Sequence, residues 1–247
     1  MAFFEVIKDS SAKLKLISTH SGADIENNQT IKDNIFTDTF SKIIIQFAKK
    51  GIPIIEVGKK TPKVAIISGI HGNELPPQIA SMNLIKKLQR KKLYGTIYII
   101  PFAAPITTMN NSRLLNGLDL NRASSNKDSI TNQILQSVQN LEVDAVADFH
   151  STKLRSNPGR ESVFCTKNPC KESLEIGRFI TKKTSSELIC YDTAGKMYKG
   201  ALEDEFNIKG IPAVTCEVLS ENGEVNPGSI QRSLLQMESY LKYFNII

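Results

Sequence analysis

Residues 64–74 of the chain read VAIISGIHGNE, and they combine a strand pattern with a group of polar side chains. Val64 to Ile70 is a nearly continuous apolar run, which is typical of a strand buried on both faces of a sheet. The next segment, residues 78–92, has apolar residues three apart on one face and is predicted as a helix. A buried strand that leads directly into a helix is the repeating unit of α/β proteins.

The same alternation continues on the C-terminal side of this unit. Strands are predicted at 96–102, 145–149, 161–165, 187–191 and 213–219, and helices at 129–141, 172–185 and 230–244. On the N-terminal side, residues 42–49 and 52–57 are rich in β-forming residues and flank Gly51, which predicts a hairpin at or near a sheet edge. The predicted fold is therefore α/β, with a mixed central β-sheet and helices on both faces.

The chain is expected to form one domain. No linker rich in proline, glycine or serine divides its 247 residues, so we expect a single domain over 1–247. The ordered core is predicted at about residues 42–247, and residues 1–41 are predicted as an irregular N-terminal extension. Within this extension, residues 22–38 are predicted as loop or weak helix.

Charge and hydropathy argue against several classes of partner. The formal net charge is +6, but the lysines occur in short, scattered pairs, so a solvated surface is preferred and we expect no nucleic-acid partner. An anionic substrate would also fit this charge. The longest apolar runs are too short to span a membrane, and the N-terminus has no signal-peptide pattern. We therefore expect a cytoplasmic protein with no membrane partner.

Histidine is rare in this sequence, which narrows the search for a metal site. Only His20, His71 and His150 occur, and the last two each follow a predicted strand. Ligands of open α/β sheets bind in the crevice beyond the carboxyl ends of the strands, so these two side chains can share one crevice. Glu74 lies three residues after His71, on a turn that enters a helix, where both side chains can point to one position.

Two imidazoles and one carboxylate match a catalytic zinc site, which uses three protein ligands and leaves a fourth position open. His71, Glu74 and His150 are therefore the candidate ligands of one Zn²⁺ ion per chain. Each motif is short, however, and a polar loop histidine is the alternative interpretation of His71 or His150 taken alone.

Charged residues between the two histidines are candidates for supporting roles. Asp119 can accept the second N–H of a zinc-bound histidine and fix its tautomer. Arg122 offers a planar pair of donors for a carboxylate, and Arg113 can stabilise a developing oxyanion. An exposed loop with ordinary surface arginines is the alternative interpretation.

Glu217 is unusual because it lies inside the predicted strand 213–219, among β-branched and apolar residues. A buried carboxylate costs free energy unless it is paired or functional. A general base next to a zinc-bound water would account for its presence. The alternative is an edge strand on which Glu217 faces solvent.

These motifs follow one another in a defined order. They are HGNE at 71–74, Arg113, DLNR at 119–122, DFHS at 148–151 and CEV at 216–218. The set resembles the zinc carboxypeptidase superfamily, and HGNE is most similar to its succinylglutamate desuccinylase and aspartoacylase branch. The resemblance spans about residues 64–219 and implies a zinc carboxypeptidase-like fold.

The resemblance also implies roles for the residues around the metal. His71, Glu74 and His150 would bind zinc, and Asp119 would support His71. Glu217 would act as general base and proton shuttle.

On the substrate side, the resemblance implies that Arg113 polarises the scissile carbonyl. Asn121 and Arg122 would hold a substrate carboxylate. The family also uses a tyrosine on a mobile loop ahead of the late glutamate. Tyr198 is the nearest candidate for substrate binding, and Tyr191 is the second.

The C-terminal part departs from the aspartoacylase branch, which usually carries a further β-rich region that narrows the pocket. Here one predicted helix follows the strand at 213–219. We therefore expect pocket closure to come from residues 151–159 or 193–200.

The combined prediction is a zinc-dependent hydrolase in which a zinc-bound water attacks an amide bond. The preferred substrate is an N-acyl amino acid, and more generally a small molecule or short peptide that bears a carboxylate. A zinc metallopeptidase, either a carboxypeptidase or a peptide amidase, is the alternative. A non-catalytic anion-binding protein is a third interpretation, disfavoured because a degenerate member is expected to lose at least one key residue. The oligomeric state is open, and a homo-oligomer is compatible with the sequence.

Overall fold

The computed structural model describes residues 5–6 and 12–247. The strands are β1 (Glu5–Val6), β2 (Ala12–Leu16), β3 (Pro53–Gly58), β4 (Lys63–Ser68), β5 (Thr96–Ile100), β6 (Leu114–Leu115), β7 (Leu118–Asp119), β8 (Ala145–Thr152), β9 (Ser162–Asn168), β10 (Glu187–Thr193) and β11 (Ala213–Leu219). The α-helices are α1 (Gln29–Asn34), α2 (Thr39–Lys50), α3 (Leu75–Leu88), α4 (Pro105–Met109), α5 (Ile130–Gln139), α6 (Lys171–Lys183), α7 (Leu202–Ile208) and α8 (Ser229–Tyr243).

One large mixed sheet organises the molecule. Over the described residues it has nine strands in the order β1-β2-β3-β5-β4-β8-β11-β9-β10, and β6 and β7 pair separately. Strands β5, β4, β8 and β11 are mutually parallel, as are β9 and β10. The other neighbouring strands of the sheet pair antiparallel. The predicted α/β fold with a mixed central sheet is therefore confirmed.

Helices cover both faces of the sheet, as predicted. Helices α2, α3, α6 and α8 contribute to one apolar core, and α5 and α7 contribute to the other. Successive side chains of a strand point to opposite faces of the sheet, so the core to which a residue of β8 belongs shows which face its side chain is on. Ala147 and Phe149 belong to the first core and Val146 to the second. Asp148 and His150 therefore point to the face covered by α5 and α7.

The predicted hairpin around Gly51 is wrong. Residues 42–49 belong to helix α2, whereas β3 lies inside the sheet between β2 and β5. Asp38 caps this helix by accepting the backbone N–H of Ser41 at 3.1 Å. The buried apolar side chains of α2 lie one to four residues apart, at Phe40, Ile44, Ile45, Phe47 and Ala48. The isoleucine-rich composition suggests a strand, but this spacing places the buried residues on one helical face.

Residues 12–41 are more regular than the predicted N-terminal extension. Strand β2, with the sequence AKLKL, pairs with β3 and joins the sheet. The segment predicted as loop or weak helix contains α1, and it buries Ile25 and Ile31 in the core. The remainder of the predicted extension, residues 1–4 and 7–11, lies outside the described residues. The single domain over 1–247 stays a prediction.

The other predicted strands and helices are present, with limits that differ by a few residues. Two short helices, α4 and α7, have no counterpart in the predictions, and both border the candidate site described below. No helix within residues 5–6 and 12–247 is both long enough and apolar enough to cross a membrane.

Candidate metal centre and catalytic cavity

The loop between β4 and α3 carries the first two candidate ligands. His71 and Glu74 are buried, with 2% and 4% of their surface exposed. Gly72 has no room for a side chain, because a Cβ there would lie 2.0 Å from the backbone carbon of Thr107 in α4. Gln78 holds the loop from the other side, since its Nε2 donates to the backbone oxygen of Glu74 at 2.9 Å. The loop is therefore fixed by packing on both sides.

The third candidate ligand lies on β8, the parallel neighbour of β4. His150 is 2% exposed and points to the α7 side of the sheet. The backbone N–H of Ser151 donates to Oε2 of Glu74 at 3.2 Å and joins the two strand ends. The structure thus brings His71 and His150 together at one edge of the sheet, with ring centroids 5.1 Å apart.

The carboxylate of Glu74 lies between the two imidazole rings. Its Oε1 is 2.8 Å from Nδ1 of His71, and its Oε2 is 2.7 Å from Nδ1 of His150. One potential ligand atom from each of the three residues lies within 4.8 Å of the others. The outer nitrogens have carboxylate partners, because Nε2 of His71 is 2.9 Å from Asp119 and Nε2 of His150 is 2.7 Å from Asp148.

This donor set fits a divalent cation such as zinc. Carboxylates on the outer nitrogens fix the rings, so that the inner nitrogens converge, and three protein ligands leave one coordination position open. Burial by itself would raise the pKa of Glu74, but the charges of His71 and His150 outweigh it and hold that pKa well below its ordinary value. Burial opposes protonation of His150, yet Asp148 and Glu74 raise its pKa well above the ordinary value. Positive charge is therefore favoured at this position, and a divalent cation would supply it.

Glu217 lies beside the candidate ligands, since it pairs with His150 in the register of β11 and β8. It is partly buried and lines a cavity of about 380 Å³ together with His71 and Glu74. Its Oε2 is buried and has no hydrogen-bond partner among the described residues. Burial and the charge of Glu74 raise the pKa of Glu217 to about 8, against the opposing effects of His150 and Arg113. A carboxyl group with such a pKa can take up and release a proton near neutral pH.

Arg113 lies at the mouth of the cavity and contacts the metal centre. Its Nη1 donates to Oε1 of Glu74 at 3.0 Å, and its Nη2 donates to Oδ2 of Asp119 at 3.2 Å. Burial would raise the pKa of Asp119, but hydrogen bonding to His71 and the charges of His71 and Arg113 hold it well below its ordinary value. The guanidinium is thus held next to the position where the candidate ligands converge.

Asn121 and Arg122 also line the cavity. Oδ1 of Asn121 accepts the backbone N–H of Leu202, the first residue of α7, at 3.0 Å. The guanidinium carbon of Arg122 lies 5.1 Å from the centre of the Tyr198 ring. Gly200 lets its turn approach the backbone of Arg122 closely, because it has a φ of +79° and a Cβ there would lie 2.3 Å from the backbone oxygen of Arg122.

Tyr198 lines the cavity, and Tyr191 packs behind it with the two ring centroids 5.7 Å apart. The hydroxyl of Tyr198 is 3.4 Å from Nδ2 of Asn157, which donates to it. The two segments predicted to close the pocket, residues 151–159 and 193–200, therefore meet at its wall. Of the candidate tyrosines, the structure places Tyr198 at the cavity surface.

Two buried acids of this region are missing from the sequence-based predictions. Asp148 precedes His150 by two residues on one strand, so both side chains point the same way, and this spacing was an available signal. Glu203 in α7 is 5% exposed and lines the cavity. No motif marks Glu203, because its burial depends on how α7 packs against the sheet.

Residues 60–243 match the model of the succinylglutamate desuccinylase/aspartoacylase catalytic domain. The chain belongs to this family. The match covers well over half of the chain and includes every predicted site residue. No curated protein is significantly similar to this succinylglutamate desuccinylase/aspartoacylase family member in sequence.

Several solved structures have a similar fold. A succinylglutamate desuccinylase/aspartoacylase from Rhodobacter sphaeroides has 19% identity and a TM-score of 0.64, over 81% of this chain and 62% of its own. The product-bound ectoine utilization protein EutE (DoeB) from Ruegeria pomeroyi has 15% identity and a TM-score of 0.66, over 81% and 63%. A metallo-carboxypeptidase from Pseudomonas aeruginosa, in complex with (2-guanidinoethylmercapto)succinic acid, has 20% identity and a TM-score of 0.59, over 77% and 59%.

This family member spans less than two thirds of the length of these three structures. At such low identity the structures establish the fold, which is carboxypeptidase-like. The buried group of His71, Glu74 and His150 is able to bind a metal ion.

Proposed function

We propose that the chain is a zinc-dependent hydrolase that cleaves the amide bond of an N-acyl amino acid. The observation that carries this proposal is the single cavity in which a buried His-Glu-His group and the carboxyl group of Glu217 meet. Membership of the succinylglutamate desuccinylase/aspartoacylase family supports the same chemistry. A cytoplasmic location remains part of the proposal.

His71, Glu74 and His150 would hold the zinc ion. When bound, the ion would act as a Lewis acid and lower the pKa of a water molecule at its open position. Glu217 accepts the proton of the attacking water, and its carboxyl group is suited to this because it lines the same cavity as the three candidate ligands and its Oε2 has no hydrogen-bond partner among the described residues. Glu217 then delivers that proton to the leaving amine, so the carboxylate is restored at the end of the reaction.

Arg113 stabilises the negative charge that develops on the carbonyl oxygen. Its guanidinium lies at the mouth of the cavity, 3.0 Å from Glu74. Asn121 and Arg122 bind the carboxylate of the substrate, and Tyr198 contributes the wall beside it. The succinic acid derivative bound by the Pseudomonas aeruginosa carboxypeptidase supports a ligand that bears a carboxylate. Binding at this end orients the amide toward the metal centre.

A zinc metallopeptidase is the second candidate function. Arg122 is exposed at the cavity wall, so it can also reach the terminal carboxylate of a peptide. A non-catalytic anion-binding protein is disfavoured, since all the residues required for hydrolysis are present and His71, Glu74, His150, Arg113 and Glu217 line one cavity.

The test uses the zinc-loaded protein with two sets of substrates, each with and without a chelator. One set contains N-acyl amino acids with acidic, apolar and basic side chains, including N-acetylaspartate and N-succinylglutamate. The other contains short peptides with free C-termini. Chelator-sensitive cleavage of the first set is the expected result, and cleavage of the second set alone would favour the peptidase. If neither set is cleaved, or cleavage is unaffected by the chelator, the proposed function is wrong.

A further inference from the structure

The cavity contains a buried acid that the proposed reaction does not use. Glu203 lies in the first turn of α7, is 5% exposed and lines the cavity that contains the metal ligands. Helix α7 packs over β8, β9 and β11, the three strands that form this part of the cavity wall. Glu203 is therefore placed against the same face of the sheet as the metal centre.

The register of these strands gives the spacing of the residues that line the cavity beneath α7. His150 and Glu217 are paired neighbours, and two residues earlier on the same strands Asp148 pairs with Thr215. Thr215 lines the cavity and also pairs with Phe164 of β9, another lining residue. Two residues along a strand correspond to about 7 Å. Thr215 and Phe164 thus form a row of lining residues, the floor of the cavity, about 7 Å along the strands from the row that carries the candidate metal site.

The carboxyl group of Glu203 is only half satisfied by the protein. Its Oε1 accepts a hydrogen bond from Nδ2 of Asn207 at 2.6 Å. Its Oε2 has no hydrogen-bond partner within the described part of the chain. Within residues 12–247, no lysine, arginine or histidine forms an ion pair with Glu203.

Other acids surround Glu203 instead of cations. Burial, together with the charges of Asp204 and Asp148, raises the pKa of Glu203 well above its ordinary value. Asp148 is also buried, and its Oδ1 has no hydrogen-bond partner among the described residues. A buried carboxylate without a cation is costly, so the part of the cavity wall that Glu203 forms is complementary to a positively charged ligand group.

We propose that the floor of the cavity binds a cationic group of the substrate, either an amine or a guanidinium on a side chain of lysine or arginine length, and that Glu203 recognises it. The inference rests on the proposed function, because it names the class of N-acyl amino acid that the site accepts. An extended lysine side chain reaches about 6 Å from its Cα to its nitrogen, which matches the distance from the metal row to the floor.

The test measures binding rather than turnover. L-lysine, L-norleucine and L-glutamate are titrated into the zinc-loaded protein in a calorimeter over the same concentration range. Norleucine has the side-chain length of lysine without its charge, and it therefore isolates the contribution of the cation. The wild-type protein should bind lysine at least tenfold more tightly than norleucine, because the ion pair forms in a largely desolvated pocket.

Two variants assign this preference to Glu203. Glu203→Gln keeps an oxygen for the hydrogen bond from Asn207 but removes the charge, and it should bind lysine no more tightly than norleucine. Glu205→Gln removes a carboxylate from the same helix outside the cavity lining, and it should keep the preference of the wild type. Zinc content and melting temperature of both variants establish that they are folded.

Each outcome decides the question. Equal binding of lysine and norleucine by the wild type, tighter binding of glutamate, or binding of none of the three would overturn the inference. A lysine preference that persists in Glu203→Gln would overturn the role of Glu203. If the lysine preference depends on Glu203 but no amide substrate is cleaved, the hydrolase proposal fails and the cation site remains.

Discussion

The acidic side chains at the two ends of the cavity differ in their partners. At the metal end, Glu74 contacts both imidazoles and Arg113, and Asp119 contacts His71 and Arg113. At the floor, the carboxyl group of Glu203 has only the amide group of Asn207 as a hydrogen-bond partner among the residues that the structure describes.

This difference indicates what each end is suited to bind. At the metal end, the carboxylates fix basic groups in place, so the geometry of the ligands is set before any substrate arrives. At the floor, Glu203 has no ion pair within residues 12–247, so we expect complementary charge to come from the substrate. Burial alone therefore does not identify the role of an acid in this cavity, whereas the identity of its neighbours does.

Glu217 provides the strongest test of this comparison, because it lies at the metal end but its Oε2 has no partner among the described residues. We expect Glu217→Gln to lower kcat by about 10²- to 10⁴-fold, since the general base is lost, while zinc stays bound. Steady-state kinetics and metal analysis measure the two effects. Glu224→Gln, an exposed change on the following loop, serves as the control. A fully active Glu217→Gln enzyme would contradict the assigned role.

A smaller effect is expected from substitution of the two acids that contact the outer nitrogens of the histidines. Asp148→Asn and Asp119→Asn should each weaken zinc affinity by about 10- to 100-fold, because each removes a charged partner from a ligand ring. The loss should be larger for Asp148, which is fully buried, than for Asp119, whose side chain is 26% exposed. Competition with a chromophoric chelator gives both affinities. Unchanged affinity in both variants would separate these carboxylates from metal binding.

The smallest predicted effect concerns stability at the floor. The pKa of Glu203 is raised in the folded protein, so its contribution is most favourable below the ordinary value of 4.5 and is lost as the pH rises toward the folded pKa. Glu203→Gln should therefore melt a few degrees higher than the wild type at neutral pH, and the difference should vanish below about pH 4.5. Thermal unfolding across this pH range measures it, with Glu205→Gln as the control. A difference that does not change with pH would show that Glu203 is not a destabilising buried acid.

The sequence predicts those parts of the fold in which local pattern and burial agree. The apolar run at 64–70 and the strand that carries His150 both lie in the centre of the sheet, and they bring the two histidines to one edge. The segment 42–49 was misassigned because its isoleucines favour a strand, whereas the capping residue Asp38 and the spacing of the buried residues favour a helix. Local composition and periodicity conflict in this segment, and periodicity prevails.

In the candidate site, too, some residues can be predicted from the sequence and others cannot. His71, Glu74 and His150 are linked to short motifs and could be found from them. Glu203 could not, because its burial arises from the packing of α7 on strands that are neighbours in space and distant in sequence. Asp148 was accessible in principle, since a carboxylate two residues before a histidine on a buried strand shares its direction.

The hydrogen bond between Asn121 and the backbone N–H of Leu202 has a geometric consequence. It connects the turn that carries Arg122 to the start of the helix that carries Glu203. The distance between these two side chains is therefore restricted. If Arg122 binds the carboxylate of a substrate and Glu203 binds its cation, the site would select substrates by length as well as by charge. Lysine, ornithine and diaminobutyrate carry the same charges, and this separation would distinguish them by their number of methylene groups.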